Sequence, residues 1–365
     1  MKALDFFCGA VGLTRGLIDA GIDVVAGYDC DEAFRLTYER NNPGARFVHA
    51  DIRELGLSDL AIRRGNHGYD DVLFAGCAPC QPFSQQRKGD LRRRDATLLA
   101  EFGRLIAAAL PGYVLMENVP GIANVKGFST FRRFLRLLVS HGYQYVFDVL
   151  DAKCFGVPQN RRRLVLIAMK ERQASLPAAK FGTTLRPFRT VREAISHFPR
   201  IKAGVSHPKV PNHVAAAISA LNLERLRYTP HDGGDRRSWP KRLRLDCHKG
   251  DYEGHTDVYG RMAWDAPAPT LTGRCHSISN GRYGHPTQDR AISLREAAAL
   301  QTFPDGYEFF GSNKHIALQV GNAVPVRLSE ELGKHILHLV ADGNGHKKAA
   351  CRRQGNEKGT QLFSA

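Results

Sequence analysis

The first half of the chain alternates short, wholly apolar segments with segments of helical periodicity. The apolar segments predict strands over residues 3–7, 23–29, 46–52, 71–76, 113–118, 143–151 and 163–169. Helical patterns, such as those over 11–21 and 32–41, lie between most of them. Apolar strands separated by helices are typical of a mostly parallel sheet that is covered on both faces. The pattern therefore predicts a doubly wound α/β fold, which binds its ligands at the carboxyl ends of the strands.

The second half of the chain has a different pattern. Between about 175 and 290 the periodicity weakens, and interleaved arginine, tryptophan and tyrosine indicate an ordered binding surface and not a linker. Helical periodicity returns over 293–303 and 325–341. We therefore expect five parts: a large first domain (1–185), a smaller, irregular domain (186–290), a segment that organises it (291–321), a C-terminal helix that returns to the first domain (322–342) and a basic, flexible tail (343–365).

Charge and cysteine content narrow the class of protein. The 365 residues include 52 Lys and Arg against 36 Asp and Glu, and arginine clusters at 87–94, 161–163 and 236–244 favour a polyanionic partner such as nucleic acid. A well-solvated basic enzyme is the alternative. Eight cysteines are too few for a disulfide framework in so long a chain, and we find neither a signal peptide nor a membrane-length apolar run. We therefore expect a soluble, cytoplasmic protein.

A glycine-containing loop follows the first predicted strand, in the sequence DFFCGAVG over 5–12. Glycines at this place let a ligand approach the backbone at the start of the next helix. The loop is neither a dinucleotide fingerprint nor a phosphate-binding P-loop. Asp29 and Asp51 end the next two strands, where carboxylates accept hydrogen bonds from ribose hydroxyls and an exocyclic amine. A structural turn and helix caps are the alternatives.

Two cysteines, Cys77 and Cys80, follow the fourth strand in a C-x-x-C arrangement. A zinc site would need further ligands at a suitable spacing, and the sequence offers none. A redox pair remains conceivable, but a buried cysteine usually packs as a small hydrophobic residue, and this is our interpretation of Cys77. Cys80 leads into a loop rich in cations, which lower the pKa of a thiol. We therefore predict that Cys80 is a single nucleophile.

The next strands also end in polar side chains. Glu117 and Asn118 close one strand, and Arg161 and Arg163 lie before or at the start of another. A carboxyl group beside a substrate ring can protonate a ring nitrogen, and arginine at a sheet edge binds an anion or a carbonyl group. Each of these residues has an ordinary structural alternative, but a thiol, an acid and a guanidinium at the strand ends of one sheet indicate an active site.

These motifs together resemble those of the cytosine-C5 DNA methyltransferases, from residue 3 to about 340. The resemblance rests on DFFCGAVG, PCQ (79–81), ENV (117–119), Gln159-x-Arg161-x-Arg163, REAAALQTFPDGY and QVGNAVP (319–325), in the family's order and spacing. One position departs from the family's F-x-G-x-G-G loop, because this chain has Val11 in place of the second glycine.

The resemblance implies a reaction and a role for each site residue. S-adenosyl-L-methionine would be the methyl donor, and Cys80 would add to C6 of a flipped-out cytosine in duplex DNA. A protonated Glu117 would bind N3, Asn118 would fix the loop around Cys80, and Arg163, with Arg161, would hold the cytosine O2. No metal is implied.

The resemblance also implies the binding residues. Those for the cofactor are Phe7, Gly9, Gly12, Leu13, Asp29, Asp51, Ile52, Pro79, Asn322 and Val324. Those for DNA are Ser84, Arg87, Arg92, Arg93 and Arg94 in a mobile catalytic loop, and Arg236, Arg237 and Arg274 in residues 186–290, which would form the target-recognition domain.

Similarity to stand-alone prokaryotic enzymes implies a monomeric modification enzyme, with a possible partner endonuclease that acts on the same sequence. The alternatives are a tRNA cytosine-C5 methyltransferase of the same fold and a catalytically inactive DNA-binding relative. The long insert and the QNRRR sequence (159–163) favour DNA as substrate, and the presence of Cys80, Glu117 and Arg163 disfavours an inactive protein. A thiol–disulfide enzyme would have no use for the ENV and QNRRR motifs.

Overall fold

The computed structural model describes residues 1–9, 12–65, 68–79, 97–124, 129–246 and 257–357. Seven strands form one sheet in the order β3-β2-β1-β4-β5-β7-β6. Their bounds are β1 Lys2–Phe6, β2 Asp23–Asp29, β3 Arg46–His49, β4 Val72–Gly76, β5 Tyr113–Asn118, β6 Tyr143–Asp151 and β7 Arg162–Lys170. The first five are parallel to one another, and β7 is antiparallel to both β5 and β6. This confirms the predicted mostly parallel sheet.

Helices cover both faces of the sheet. Their bounds are α1 Gly12–Asp19, α2 Arg35–Asn41, α3 Leu98–Ala109, α4 Gly121–Asn124, α5 Ser129–Ser140, α6 Val191–Ile195, α7 Ala220–Tyr228, α8 Leu294–Leu300, α9 Asn313–Asn322 and α10 Val326–Glu357. Alternate side chains of each strand enter opposite cores, so that Phe6 and Phe74 pack with α3, while Ala3 and Leu73 pack with α1 and α10. No helix in the described ranges is long and apolar enough to span a membrane.

Several boundaries differ from those that periodicity predicts. β3 ends at His49 and not at residue 52, so Asp51 lies in the turn beyond it. The last helix continues to Glu357, so residues 343–357 of the expected basic, flexible tail are helical, and the flexibility of the tail stays a prediction. After Pro325 this part of the chain contains no proline, so every residue keeps the backbone N–H that a helix needs.

The irregular part of the chain has a small core of its own. Leu226, Trp239, Leu243, Tyr259, Ile278 and Ala291 pack together there. Trp239 is only 2% exposed, and its indole N–H donates to the hydroxyl of Thr229 at 2.8 Å. Trp239 therefore belongs to the core of this region and not to a binding surface. Tryptophan next to arginine in the sequence does not reveal which of the two faces outward.

The C-terminal helix returns to the first domain and packs on α1. Glycine makes this contact close: a Cβ atom on Gly16 would lie 2.4 Å from the carbonyl oxygen of Val326, and one on Gly333 would lie 2.7 Å from the Cβ of Ala20. Leu328, Leu332 and Ile336 then join the core behind β1. The chain before this helix is thereby placed beside the start of α1, at the carboxyl edge of the sheet.

Candidate active site

The loop after β1 is held by the carboxylate at the end of β2. Phe7 and Gly9 both have left-handed backbone conformations, with φ of 59° and 50°. The backbone N–H of Gly9 donates to Oδ2 of Asp29 at 2.9 Å, and that of Asp31 donates to Oδ1 at 3.0 Å. Burial raises the pKa of Asp29, while the two N–H donors oppose that change. Asp29 thus holds the backbone of the loop at Gly9.

The second predicted carboxylate has a partner of its own. Arg53 binds both oxygens of Asp51, with Nε at 2.9 Å and 3.0 Å, and this interaction lowers the pKa of the carboxyl group. Ile52 is 6% exposed and packs in the core, where its carbonyl oxygen accepts a hydrogen bond from Arg104 at 2.9 Å. A ligand at this edge would therefore meet Asp51 as a charged acceptor.

Among the other residues that we predicted for the cofactor, Gly12, Leu13 and Val324 lie at the start of α1. A Cβ atom on Gly12 would lie 1.8 Å from the carbonyl oxygen of Val324, so this position has no room for a side chain. Asn322 is exposed at the end of α9. The side chain of Leu13 is buried in the core, so a contact from it to a ligand would use the backbone. Pro79 is half-buried, and it is the last residue that the structure describes before Cys80.

Glu117 and Arg163 form an ion pair at the carboxyl edge of the sheet. Glu117 lies opposite Val165 in the antiparallel pairing of β5 and β7, and Arg163 is two residues before Val165 on the same face. Nε of Arg163 is 2.9 Å from Oε1 of Glu117, and the two side chains are 14% and 8% exposed. Strand register therefore brings together an acid and a guanidinium that are 46 positions apart in the sequence.

Asn118 joins the ends of β4 and β5. Its side-chain amide donates to the carbonyl oxygen of Ala78 at 3.0 Å, and its own oxygen accepts from the N–H of Val119 at 2.8 Å. Ala78 stands two positions before Cys80 in the sequence. Asn118 thus holds the chain at Ala78. Its predicted role around Cys80 stays a prediction, because Cys80 lies outside the described residues.

Cys77 packs in the core, as predicted, and lies beside the acid of the site. It contacts the cluster that contains Ala75 and Leu115. Burial, followed by the nearby carboxyl groups of Glu117 and Asp5, raises the pKa of its thiol well above the usual value. Cys77 therefore stays a protonated thiol at neutral pH, which is a poor nucleophile.

Asp5 is a fully buried acid on the same face of the sheet. Its Oδ2 accepts a hydrogen bond from the hydroxyl of Thr14 at 2.7 Å, and that hydroxyl lies 3.1 Å from the Tyr38 hydroxyl. Burial raises the pKa of Asp5 to about 7. Our sequence interpretation assigned no role to Asp5, although an acid inside an apolar strand could have drawn attention to it.

Arg161 is buried and binds backbone carbonyl groups. It donates to Leu271 at 2.8 Å, to Gly321 at 3.2 Å and to Ala323 at 2.9 Å. Burial lowers its pKa to about 9, so the side chain remains a cation at neutral pH. We had predicted that Arg161 assists Arg163 at the base. In the structure its contacts join the chain just before β7 to two distant parts of the chain, at 271 and at 321–323, and its role at the base stays a prediction.

Two glutamines complete this buried cluster, and our list of predicted site residues omitted both. Gln159 donates to the side-chain oxygen of Gln301 at 3.0 Å and accepts from the N–H of Leu271 at 3.0 Å. Gln301 is fully buried at the end of α8. An amide inside the mostly apolar stretch AAALQTF was the sequence feature that could have indicated it.

The predicted DNA contacts fall into two groups. Cys80, Ser84, Arg87, Arg92, Arg93 and Arg94 lie outside the described residues. In the second group, Arg236 is half-buried, while Arg237 is 89% exposed and forms a forked pair with Asp235. Arg274 is exposed, and its guanidinium is 3.4 Å from the side-chain oxygen of Asn280. Of these three arginines, Arg274 is nearest in sequence to Leu271, which contacts Arg161.

Comparison with known proteins gives a consistent result. The model of the family described as C-5 cytosine-specific DNA methylase matches residues 1–338. The Type II methylase M.HgiDII of Herpetosiphon aurantiacus is 40% identical over 338 residues, which cover 91% of this chain and 94% of that protein. The Type II methyltransferase M1.HphI of Haemophilus parahaemolyticus is 32% identical, with 92% and 86% covered.

Solved structures agree at the level of the fold. A putative DNA modification methyltransferase encoded within an Escherichia coli prophage superposes with a TM-score of 0.73 at 22% identity, with 93% of this chain and 99% of that chain covered. The Dnmt2 methyltransferase of S. pombe gives a TM-score of 0.59 at 18% identity, with 93% and 99% covered. Both share the same sheet-based architecture.

Proposed function

The chain belongs to the C-5 cytosine-specific DNA methylase family, and on that premise we propose that it methylates cytosine within a specific sequence of duplex DNA. S-adenosyl-L-methionine is the methyl donor of this family's reaction. The observation that carries the assignment of the site is the ion pair of Glu117 and Arg163 at the carboxyl edge of the sheet. It provides one group for a ring nitrogen and one for a ring carbonyl oxygen, next to the strand that precedes Cys80.

The residues at the ends of β1 and β2 fit S-adenosylmethionine. Asp29 holds the Gly9 N–H and offers a carboxylate where a ribose would lie, and the missing Cβ of Gly12 lets the chain at Val324 approach the loop. Asp51 offers a second acceptor at the end of the next strand. When bound there, S-adenosylmethionine supplies the electrophilic methyl group that cytosine C5 accepts.

Cys80 activates the base in this proposal. Its thiolate adds to C6 of cytosine, which raises the electron density at C5. Glu117, in its protonated form, donates a hydrogen bond to N3 and stabilises the charge that develops on the ring. After methylation the C5 proton leaves and the bond between the Cys80 sulfur and C6 breaks, which restores the ring and the thiolate.

Arg163 is the partner of Glu117 before a base enters the site. In the structure Nε of Arg163 lies 2.9 Å from the Glu117 carboxylate. We propose that an entering cytosine accepts a hydrogen bond from Arg163 at O2 and thereby separates this ion pair. Glu117 is then free to face N3 of the base.

Recognition of the DNA sequence belongs, in this proposal, to residues 186–290. Their separate core and their exposed arginines, Arg237 and Arg274, support this assignment. The target base must leave the duplex to reach Glu117, at a cost of a few kcal/mol. The cations at 87–94, which lie outside the described residues, would contact phosphates.

A role in restriction and modification follows from the relatives. The two similar proteins M.HgiDII and M1.HphI are Type II enzymes. We propose that this chain likewise modifies DNA to protect it from an endonuclease that recognises the same sequence. A monomeric state and a cytoplasmic location stay predictions from the sequence.

A covalent trapping experiment tests the catalytic assignment. A duplex that carries 5-fluorocytosine at the methylated position should form a stable adduct with Cys80, because fluorine cannot leave C5 as a proton does. Cys80→Ser should abolish both the adduct and methyl transfer, whereas Cys154→Ser, at a half-buried cysteine to which we assign no role, should preserve both. Peptide mapping that locates the adduct on a different residue would overturn the assignment of Cys80.

A further inference from the structure

A buried polar cluster lies beneath the active site, where parts of the chain that are distant in sequence meet. It consists of the side chains of Gln159, Arg161 and Gln301, which are 0%, 1% and 0% exposed. Around it lie the start of β7, the stretch 268–273, the end of α8 and the chain at 320–323. Buried polar groups of this kind fix a unique arrangement only when their hydrogen bonds are satisfied.

Gln301 uses both ends of its amide. Its nitrogen donates to the carbonyl oxygens of Val320 at 2.7 Å and Ala323 at 3.2 Å. Its oxygen accepts from the side-chain nitrogen of Gln159 at 3.0 Å. A single side chain therefore connects the segment that precedes the C-terminal helix with the start of β7.

Leu271 is held at both of its backbone groups. Its N–H donates to Gln159 at 3.0 Å, and its carbonyl oxygen accepts from Arg161 at 2.8 Å. Nearby, the N–H of Asn160 donates to Ala268 at 2.8 Å, in a short parallel pairing between 159 and 268. The stretch 268–271 is thus attached to the catalytic domain as an additional extended segment.

The polar cluster adjoins three groups of residues with proposed roles. Arg161 stands two positions before Arg163, Leu271 stands three before Arg274, and Ala323 stands between Asn322 and Val324. These are the candidate residues for the base, the DNA and the cofactor. A displacement of the cluster would therefore change the positions of all three groups relative to one another.

We propose that Gln301 is a positioning residue, which aligns the chain at 320–323 directly, and the stretch 268–274 through Gln159, with Arg163 on β7. The stretch 268–274 carries Arg274, our proposed DNA contact. The proposal rests on the proposed function, because alignment matters only if one reaction uses all three groups. Small displacements of reacting groups strongly reduce the rate of a chemical step. Loss of the Gln301 hydrogen bonds should therefore lower the rate of methyl transfer more than the binding of either substrate.

The test is the variant Gln301→Met, which keeps the length of the side chain and removes its hydrogen bonds. Gln319→Met is the matched control: Gln319 is 2% exposed, and its amide donates to Phe310 at 2.8 Å without contacting β7. The measurements are kcat and KM on unmethylated plasmid DNA, the Kd for S-adenosylmethionine, the melting temperature, and hydrogen exchange in peptides that cover 268–274.

We expect both variants to lose similar thermal stability. Only Gln301→Met should lower kcat, by about tenfold or more, with KM and Kd within about twofold of the wild type. Hydrogen exchange in peptides that cover 268–274 should be faster in Gln301→Met than in the wild type, and unchanged in Gln319→Met. Equal kcat values and equal exchange in the two variants would overturn the proposal. If the wild type does not methylate DNA, the proposed function fails, and exchange still reports whether Gln301 holds the segment.

Discussion

Replacing Gly12 by alanine tests the close contact between α1 and the chain that precedes the C-terminal helix. The new Cβ atom would lie 1.8 Å from the carbonyl oxygen of Val324, 3.0 Å from its carbonyl carbon and 3.2 Å from the Cβ of Ala323. To bring the first distance to the 3.0 Å below which Cβ contacts essentially never occur, the two segments must separate by about 1.2 Å. Backbone atoms lie on both sides, so a side-chain rotation cannot relieve the clash.

The expected loss of stability follows from the separation of the two segments. Overpacking of a well-packed site costs about 1–3 kcal/mol, and a rigid backbone contact belongs at the upper end of that range. We therefore expect a fall of several degrees in melting temperature and a loss of about tenfold or more in affinity for S-adenosylmethionine. Affinity falls because Gly12 and Val324 are both proposed cofactor residues, and their separation changes the loop.

The measurement combines thermal denaturation with calorimetric titration of S-adenosylmethionine. Gly306→Ala is the control, because a Cβ atom there has no neighbour within 4 Å and its φ is not in the left-handed region. It should leave both quantities unchanged. A Gly12→Ala protein with the melting temperature and cofactor affinity of the wild type would show that the chain at Val324 does not lie against α1 as described.

Two further predictions concern buried carboxylates. Burial raises the pKa of Asp5 from 3.8 to about 7, so the folded protein retains this proton up to a higher pH than the unfolded chain does. The free energy of unfolding should therefore fall as pH rises from about 4 to 7, by at most about 4 kcal/mol from this group. Asp5→Asn should flatten that dependence in denaturant titrations, and an unchanged slope would contradict the assignment. Asp29→Ala should weaken S-adenosylmethionine binding, because it releases the Gly9 N–H, with little effect on DNA affinity in a gel-shift assay; unaltered calorimetric affinity for the cofactor would refute its role.

The architecture of the catalytic domain was predictable from the sequence alone. Wholly apolar segments separated by amphipathic ones can bury both faces of each strand only in a sheet that is covered on both sides. Asp29, Glu117 and Asn118 close their apolar segments, which placed them at strand ends, whereas Asp5 lies within its strand. The carboxyl ends of parallel strands share one edge of the sheet. The sequence alone therefore predicted that these end residues lie close together.

Which of two arginines faces Glu117 could not be read from the sequence. Arg161 and Arg163 are two positions apart, and alternation along an extended chain would place both on one side, so it cannot distinguish them. The register of β5 and β7 places Arg163 at 2.9 Å from Glu117. Arg161 instead donates hydrogen bonds to carbonyl groups that lie 110 to 162 positions further along the chain.

The contacts of Gln301 were beyond prediction for the same physical reason. Its hydrogen-bond partners lie 142 positions before it and 19 to 22 positions after it. Periodicity depends on neighbours within a few residues, and it gives the face of a helix or strand that is buried. It carries no information about which distant backbone group will meet a buried amide. That choice arises from the packing of whole segments, which only the folded chain contains.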